Sequence, residues 1–260
     1  MVTREDLNKI DPLLYEIPKT KRSDMRVPAR LYADEALLND LLSDRSLEQL
    51  VNITTLPGIV KYALAMPDAH QGYGFPIGGV AATLLPDGVI SPGGVGYDIN
   101  CGVRLLTSDL EAEALKPEMD DLMSAIYARV PTGVGSSGAL HLSERETRQV
   151  LEQGAQWAVQ AGHGTDRDLA HTEEDGRMPE ARAAAVSSRA LERGADQVGT
   201  LGSGNHFLEV DEITEIYDSE VADRFGLHQG AACVWIHCGS RGLGHQVCTD
   251  AVRAMQGSLK

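Results

Sequence analysis

The sequence predicts an α+β protein with a β-sheet core, and three observations carry that prediction. Apolar runs suited to strands occupy the first and last thirds of the chain. Between them, from about 115 to 195, the pattern changes to helical segments separated by polar stretches. Long glycine-rich connections join the strands, most densely over residues 66–104, which hold nine glycines and four prolines. The β–helical–β order predicts one domain over 1–260 with a helical insertion at about 115–195, rather than separate domains in series.

In chain order, residues 3–10 predict a short helix capped by Thr3 with acidic residues in its first turn. Residues 25–33 alternate as a strand, and Pro28 assigns it to a sheet edge. Seven Leu and Val residues between 37 and 51 predict an amphipathic helix or helix pair. Residues 60–66 read as a strand leading into the glycine-rich stretch, and 78–85 and 103–110 as two more strands. In the middle, 116–128 and 143–161 predict helices, the second opened by a Ser143/Glu146 capping box. A further helix is expected over 179–193 with Pro179 in its first turn. Residues 204–213 and 232–239 bring back strands, and a helix follows the glycine-rich turn after 239.

Composition narrows the function classes. A formal charge of -15 argues against a broad electrostatic nucleic-acid surface but leaves room for a local basic groove or for phosphate binding through metal ions. Four cysteines without a CxxC pair point to reduced thiols. No signal-peptide pattern and no apolar run of 18 residues is present, so a soluble, cytoplasmic protein without membrane contact is expected.

The chemistry concentrates where glycines punctuate the strands. Asp68, His70, Asp98 and Cys101 lie within 66–104, and Asp98 and Cys101 stand in a D-x-x-C arrangement that can reach one ion from a single turn. His206 follows the turn GSGN at the head of a strand, and His237 ends the apolar run VWIH. Any one of these alone reads as structural. Together they form a mixed O/S/N donor set suited to Mn, Zn, Co or Fe rather than Mg or Ca. The turns GSGN and GSRGLGH offer backbone N–H groups to an anion, and Arg241 a planar fork for phosphate. Metal-assisted phosphoryl chemistry is the class this favours.

PDAHQGYGFPIGG, GGVGYDINCGVR, GSGNHFLEV and HCGSRGLGHQV together resemble the RtcB family, the tRNA-splicing RNA ligases, over residues 25–256 and least in the helical middle. The resemblance implies an RtcB-like catalytic domain that joins RNA 2′,3′-cyclic phosphate or 3′-phosphate ends to 5′-hydroxyl ends, using GTP and two Mn²⁺ ions. It implies manganese ligation by Asp98, Cys101, His206 and His237, with the cysteine bridging both ions. Asn205 and Glu209 fall where the family contacts the guanine nucleotide. Asp68 and Arg241 match polar active-site residues; the roles of His70 and Gln71 stay open. An archease-type activator is a further partner that the resemblance suggests.

Family members are longer, and the sequence has no SHGAGR-like motif, which in the family carries the guanylate-accepting His. A further ligating His belongs to the same C-terminal portion. The expectation is therefore a truncated domain with its C-terminal part missing, binding metal in part and not completing ligation alone. Two rivals remain: a metal-dependent phosphohydrolase or nuclease, and a non-catalytic metal- or RNA-binding fragment.

Overall fold

The computed structural model describes residues 2–138 and 140–258, and its contacts form two units, Met1–Val95 and Gly96–Lys260. The boundary falls inside the glycine-rich stretch, and the helical middle lies wholly in the second unit.

In the first unit, five strands form one sheet in sequence order: β1 (Asn8–Asp11), β2 (Leu14–Ile17), β3 (Ala29–Tyr32), β4 (Ala63–His70) and β5 (Ile77–Val80). Only β3 and β4 run parallel, and the crossover such a pair requires is the helix pair Glu35–Ser43 and Ser46–Ile53, the second of the two readings that the leucine spacing allows. Asp34 caps the first helix by accepting from the Leu37 N–H at 2.9 Å. Ile17, Leu31, Leu38, Leu47, Leu50 and Ile53 are fully buried between helices and sheet.

Three expectations for this unit need correction. Residues 3–10 are not one helix: a single 3₁₀ turn, Arg4–Asp6, gives way to β1, because the Asp6 carboxylate takes both the N–H and the hydroxyl of Thr3 and residues 8–11 then pair with β2. The strand after Pro28 is central, not an edge. Pro28 is tolerated because it stands just before the ladder, where its carbonyl accepts from the Ala63 N–H. The strand expected at 78–85 stops at Val80, and Leu84 and Leu85 are exposed. The glycine-rich segment after β4 is tied to helix Ser46–Ile53: the Gln49 amide bonds both backbone groups of Gly72, at 2.7 and 2.9 Å.

The second unit carries an antiparallel sheet of β6 (Gly102–Glu111), β8 (Ala231–Cys238) and β7 (Phe207–Glu212), with the apolar run as the central strand. β6 is exposed along most of its length. Helices Met119–Arg129, Glu144–Gln153 and Ala155–Gln160 occupy the middle. The Ser143/Glu146 capping box forms as predicted. The helix expected through 161 is broken at Gly154, whose φ of +58° leaves the helical region and whose Cβ, if present, would overlap the Gly176 carbonyl.

The helix expected over 179–193 starts only at Ser188 and ends at Gly194. Pro179 lies outside it, and the Ser187 hydroxyl supplies the cap by accepting from Ala190 N–H. Helix Arg241–Ser258 packs against this short helix, with Leu243 lying over Gly194. Among the described residues no helix is long and apolar enough to cross a membrane.

Candidate metal centre

Antiparallel pairing explains how residues more than a hundred positions apart meet. β6 and β7 both run against β8, so their first residues lie beside the last residues of β8: Gly102 opposite Cys238, and Phe207 opposite His237. Cys101 precedes β6 by one residue, His206 precedes β7 by one residue, and His237 is the penultimate residue of β8. One end of the sheet thus gathers all three. Asp98 joins them through the D-x-x-C turn, where Asn100 adopts φ +54°, a left-handed conformation asparagine tolerates.

The ligand atoms of Asp98, Cys101 and His206 lie within 4.8 Å of one another. His206 Nε2 is 2.6 Å from Asp98 Oδ2 and 3.7 Å from Cys101 Sγ. His237 Nε2 approaches the same sulfur from another side at 3.1 Å. The imidazole of His206 is almost fully buried, with 4% of its side chain exposed, whereas Asp98 keeps 29%. His206 Nδ1 is 2.8 Å from the Leu201 carbonyl. A carbonyl can only accept, so Nδ1 donates to it, and Nε2 is the ring nitrogen turned toward the Asp98–Cys101 side, the arrangement of metal-ligating histidines. His237 is oriented differently, its ring stacked on Phe207 with centroids 5.3 Å apart and an interplanar angle of 12°.

The electrostatics suit a cation. Burial pushes the Asp98 carboxyl up, but hydrogen bonds from Cys101, His206 and Ser240 outweigh this and hold it below the ordinary aspartate value. Burial, with Asp98 alongside, pushes the Cys101 thiol up to about 11. Without a cation the thiol keeps its proton, whereas coordination to a divalent ion deprotonates such a group. Carboxylate oxygen, sulfur and imidazole nitrogen at this spacing fit a borderline transition-metal ion.

The other expected site residues are distributed unevenly. Asn205 belongs to the cluster: its amide nitrogen is 3.2 Å from His237 Nε2 and 3.6 Å from Cys101 Sγ. Glu209 sits on β7 opposite Trp235, two residues beyond Phe207 and so on the same sheet face, and burial and neighbouring Asp211 raise its carboxyl. Arg241 turns inward: Nε donates to Thr200 Oγ1 at 3.2 Å, Nη1 lies over Gly202, and Nη2 is buried without a hydrogen-bond partner among the described residues. Asp68 belongs to the first unit, its carboxylate lying against Gly78, and the Asp68 carbonyl is 2.9 Å from His70 Nδ1.

The GSRGLGH turn spends its donors within the protein. The Arg241 N–H goes to Asp98 Oδ1 at 3.2 Å and the Gly242 N–H to Gln197 Oε1 at 2.8 Å. The anion at this helix start is the protein's own Asp98. Ser240, Phe207, Leu201 and Gln197 escape a sequence reading because their contribution depends on partners far along the chain; only Ser240 and Phe207 stand beside residues singled out by type.

The family model described as tRNA-splicing ligase RtcB matches 49–260. The chain is 52% identical over 250 residues to a tRNA-splicing ligase RtcB of Thermococcus kodakarensis, covering 96% of this chain and 52% of the relative. It is 50% identical over 254 residues to the protein of that name from Archaeoglobus fulgidus, covering 98% and 52%. It is 54% identical over 214 residues to an RNA-splicing ligase RtcB of Mycobacterium bovis, covering 81% and 50%. The chain spans about half the length of the curated relatives it matches.

Proposed function

The chain belongs to the RtcB family, and from that membership we propose that it forms the metal-holding part of an RNA ligase. The reaction is the joining of RNA 3′-phosphate or 2′,3′-cyclic phosphate ends to 5′-hydroxyl ends, with GTP and manganese as cofactors. The observation that carries the reading is the convergence of Asp98, Cys101, His206 and His237 around one sulfur.

In this reading Asp98, Cys101, His206 and His237 would hold the two manganese ions. Bound manganese supplies positive charge for phosphate oxygens as negative charge develops on them. Cys101 gives up its proton on loading, and the Leu201 carbonyl keeps His206 in the ligating tautomer. Asn205, against both Cys101 and His237, faces the guanine nucleotide together with Glu209, and Asp68 and Arg241 serve the active site. RNA contact is local, since the net charge of -15 disfavours a broad surface. An archease-type activator, a cytoplasmic setting and a single catalytic domain over 1–260 with its insertion at about 115–195 complete the proposal. The guanylate-accepting His belongs to a motif this sequence does not contain.

The test is incubation with α-labelled GTP and Mn²⁺, followed by denaturation. The expected result is manganese uptake by this chain without retained label, and retained label on a protein of the relatives' full length. Label on this chain itself would mean that one of its own histidines accepts guanylate, and would overturn that assignment. Phosphate release from RNA ends without GTP would favour a metal-dependent phosphohydrolase over a ligase.

A further inference from the structure

We propose that Ser240 is a positioning residue for the metal centre, fixing the Asp98 carboxylate so that one oxygen is occupied by the protein and the other is left for the ion. The inference rests on the metal-site reading above and extends it to a residue that this reading leaves unused.

The geometry divides the two carboxylate oxygens cleanly. Oδ1 accepts from the Ser240 hydroxyl and from the Arg241 N–H, both at 3.2 Å. Oδ2 has neither of these partners and faces His206 Nε2 at 2.6 Å. A carboxylate is free to rotate about its Cβ–Cγ bond, so two donors on one oxygen are what select a single orientation. The Arg241 N–H is backbone and comes with the start of an 18-residue helix; the hydroxyl is the only part of this pair that a side chain controls.

The surrounding backbone makes room for this contact. A Cβ at Gly239 would overlap the Asp98 carboxylate, and a Cβ at Gly244 would overlap the Ser240 hydroxyl. Gly244 is buried one helical turn beyond Ser240, and its N–H donates to the Ser240 carbonyl at 3.3 Å. Neither glycine has a positive φ, so at these positions glycine is needed for space, not for backbone conformation. Space cleared on two sides of one hydrogen bond marks that bond as a built feature.

Such outer partners of a ligating carboxylate contribute tenfold to a hundredfold in metal affinity. The experiment titrates the purified chain and its variants with Mn²⁺ by calorimetry and with Co²⁺ by visible absorption, where the sulfur-to-cobalt and ligand-field bands report geometry independently of any catalysis. Ser240→Ala is expected to weaken Mn²⁺ binding by about tenfold or more and to shift the cobalt ligand-field bands. Ser240→Thr, which keeps the hydroxyl, is expected to restore both, and thermal melts of the metal-free variants are expected to coincide. Ser240→Ala with wild-type affinity and an unchanged cobalt spectrum would overturn the proposal, as would an equal loss in Ser240→Thr and Ser240→Ala. Asp98→Ala separates the two levels. If the wild-type chain takes up no more cation than Asp98→Ala, the metal-site reading itself fails and this inference falls with it.

Discussion

Cys101 is the residue on which the site turns, since Asp98, Asn205, His206 and His237 all lie around its sulfur. Replacing it by serine is expected to abolish the sulfur-to-cobalt absorption band and to weaken Mn²⁺ binding more than Ser240→Ala does, measured by the same titrations. Gly202 makes a second residue-scale prediction. It has φ +96°, and a Cβ there would collide with the Arg241 guanidinium. Gly202→Ala is expected to cost about 1–3 kcal/mol in urea unfolding. That Asp98, Cys101, His206 and His237 belong together was legible in the sequence, because a thiol, a carboxylate and two histidines beside glycines at strand–loop junctions are costly choices for mere connection. Ser240 was not legible. Its neighbours suggested an anion-binding turn, and only the fold shows that the anion is Asp98.

At the scale of elements, the short helix Ser188–Gly194 is stabilised by a contact that spans two elements. The Ser187 hydroxyl caps this helix and donates to Asp250 Oδ2, at 2.7 Å, on helix Arg241–Ser258. That bond, with another from Gln246, holds the Asp250 carboxyl below its ordinary value of 3.8. The folded value lies below the unfolded one, so this contribution is complete above the ordinary value and is lost as pH falls through the folded value. Ser187→Ala is expected to lower stability by about 1 kcal/mol at neutral pH through the lost cap, with the gap to wild type narrowing on acidification below 3.8. Urea melts at several pH values check both parts. The helix boundary itself was misplaced in sequence because Pro179 is a good first-turn residue, whereas Ser187 is a better cap and pairs with a residue 63 positions away.

Across the whole molecule, apolar burial is uneven. A cluster of large aliphatic side chains, Leu31, Leu38, Leu47 and Leu50 among them, fills the first unit. In the second unit β6 exposes Val103 by 51%, Leu106 by 45% and Leu110 by 54%. Leu50→Ala is expected to cost about 2–5 kcal/mol, whereas Leu106→Ala is expected to stay within about 0.5 kcal/mol, as measured by urea unfolding. The sequence by itself determined the α+β class, helical structure before β4, the apolar run at 232–239 as a strand, and the residue types that meet around Cys101. Each of these follows from local periodicity or from side-chain chemistry, which a linear reading can see. Only the tertiary structure decided that β3 is central, that the helical middle is broken at Gly154, and that Asp98 is held by Ser240. Those outcomes depend on which strand pairs with which, and on the space left by glycines far apart in the chain. Such contacts are set by the packing of the folded chain and have no signature in the spacing of its residues.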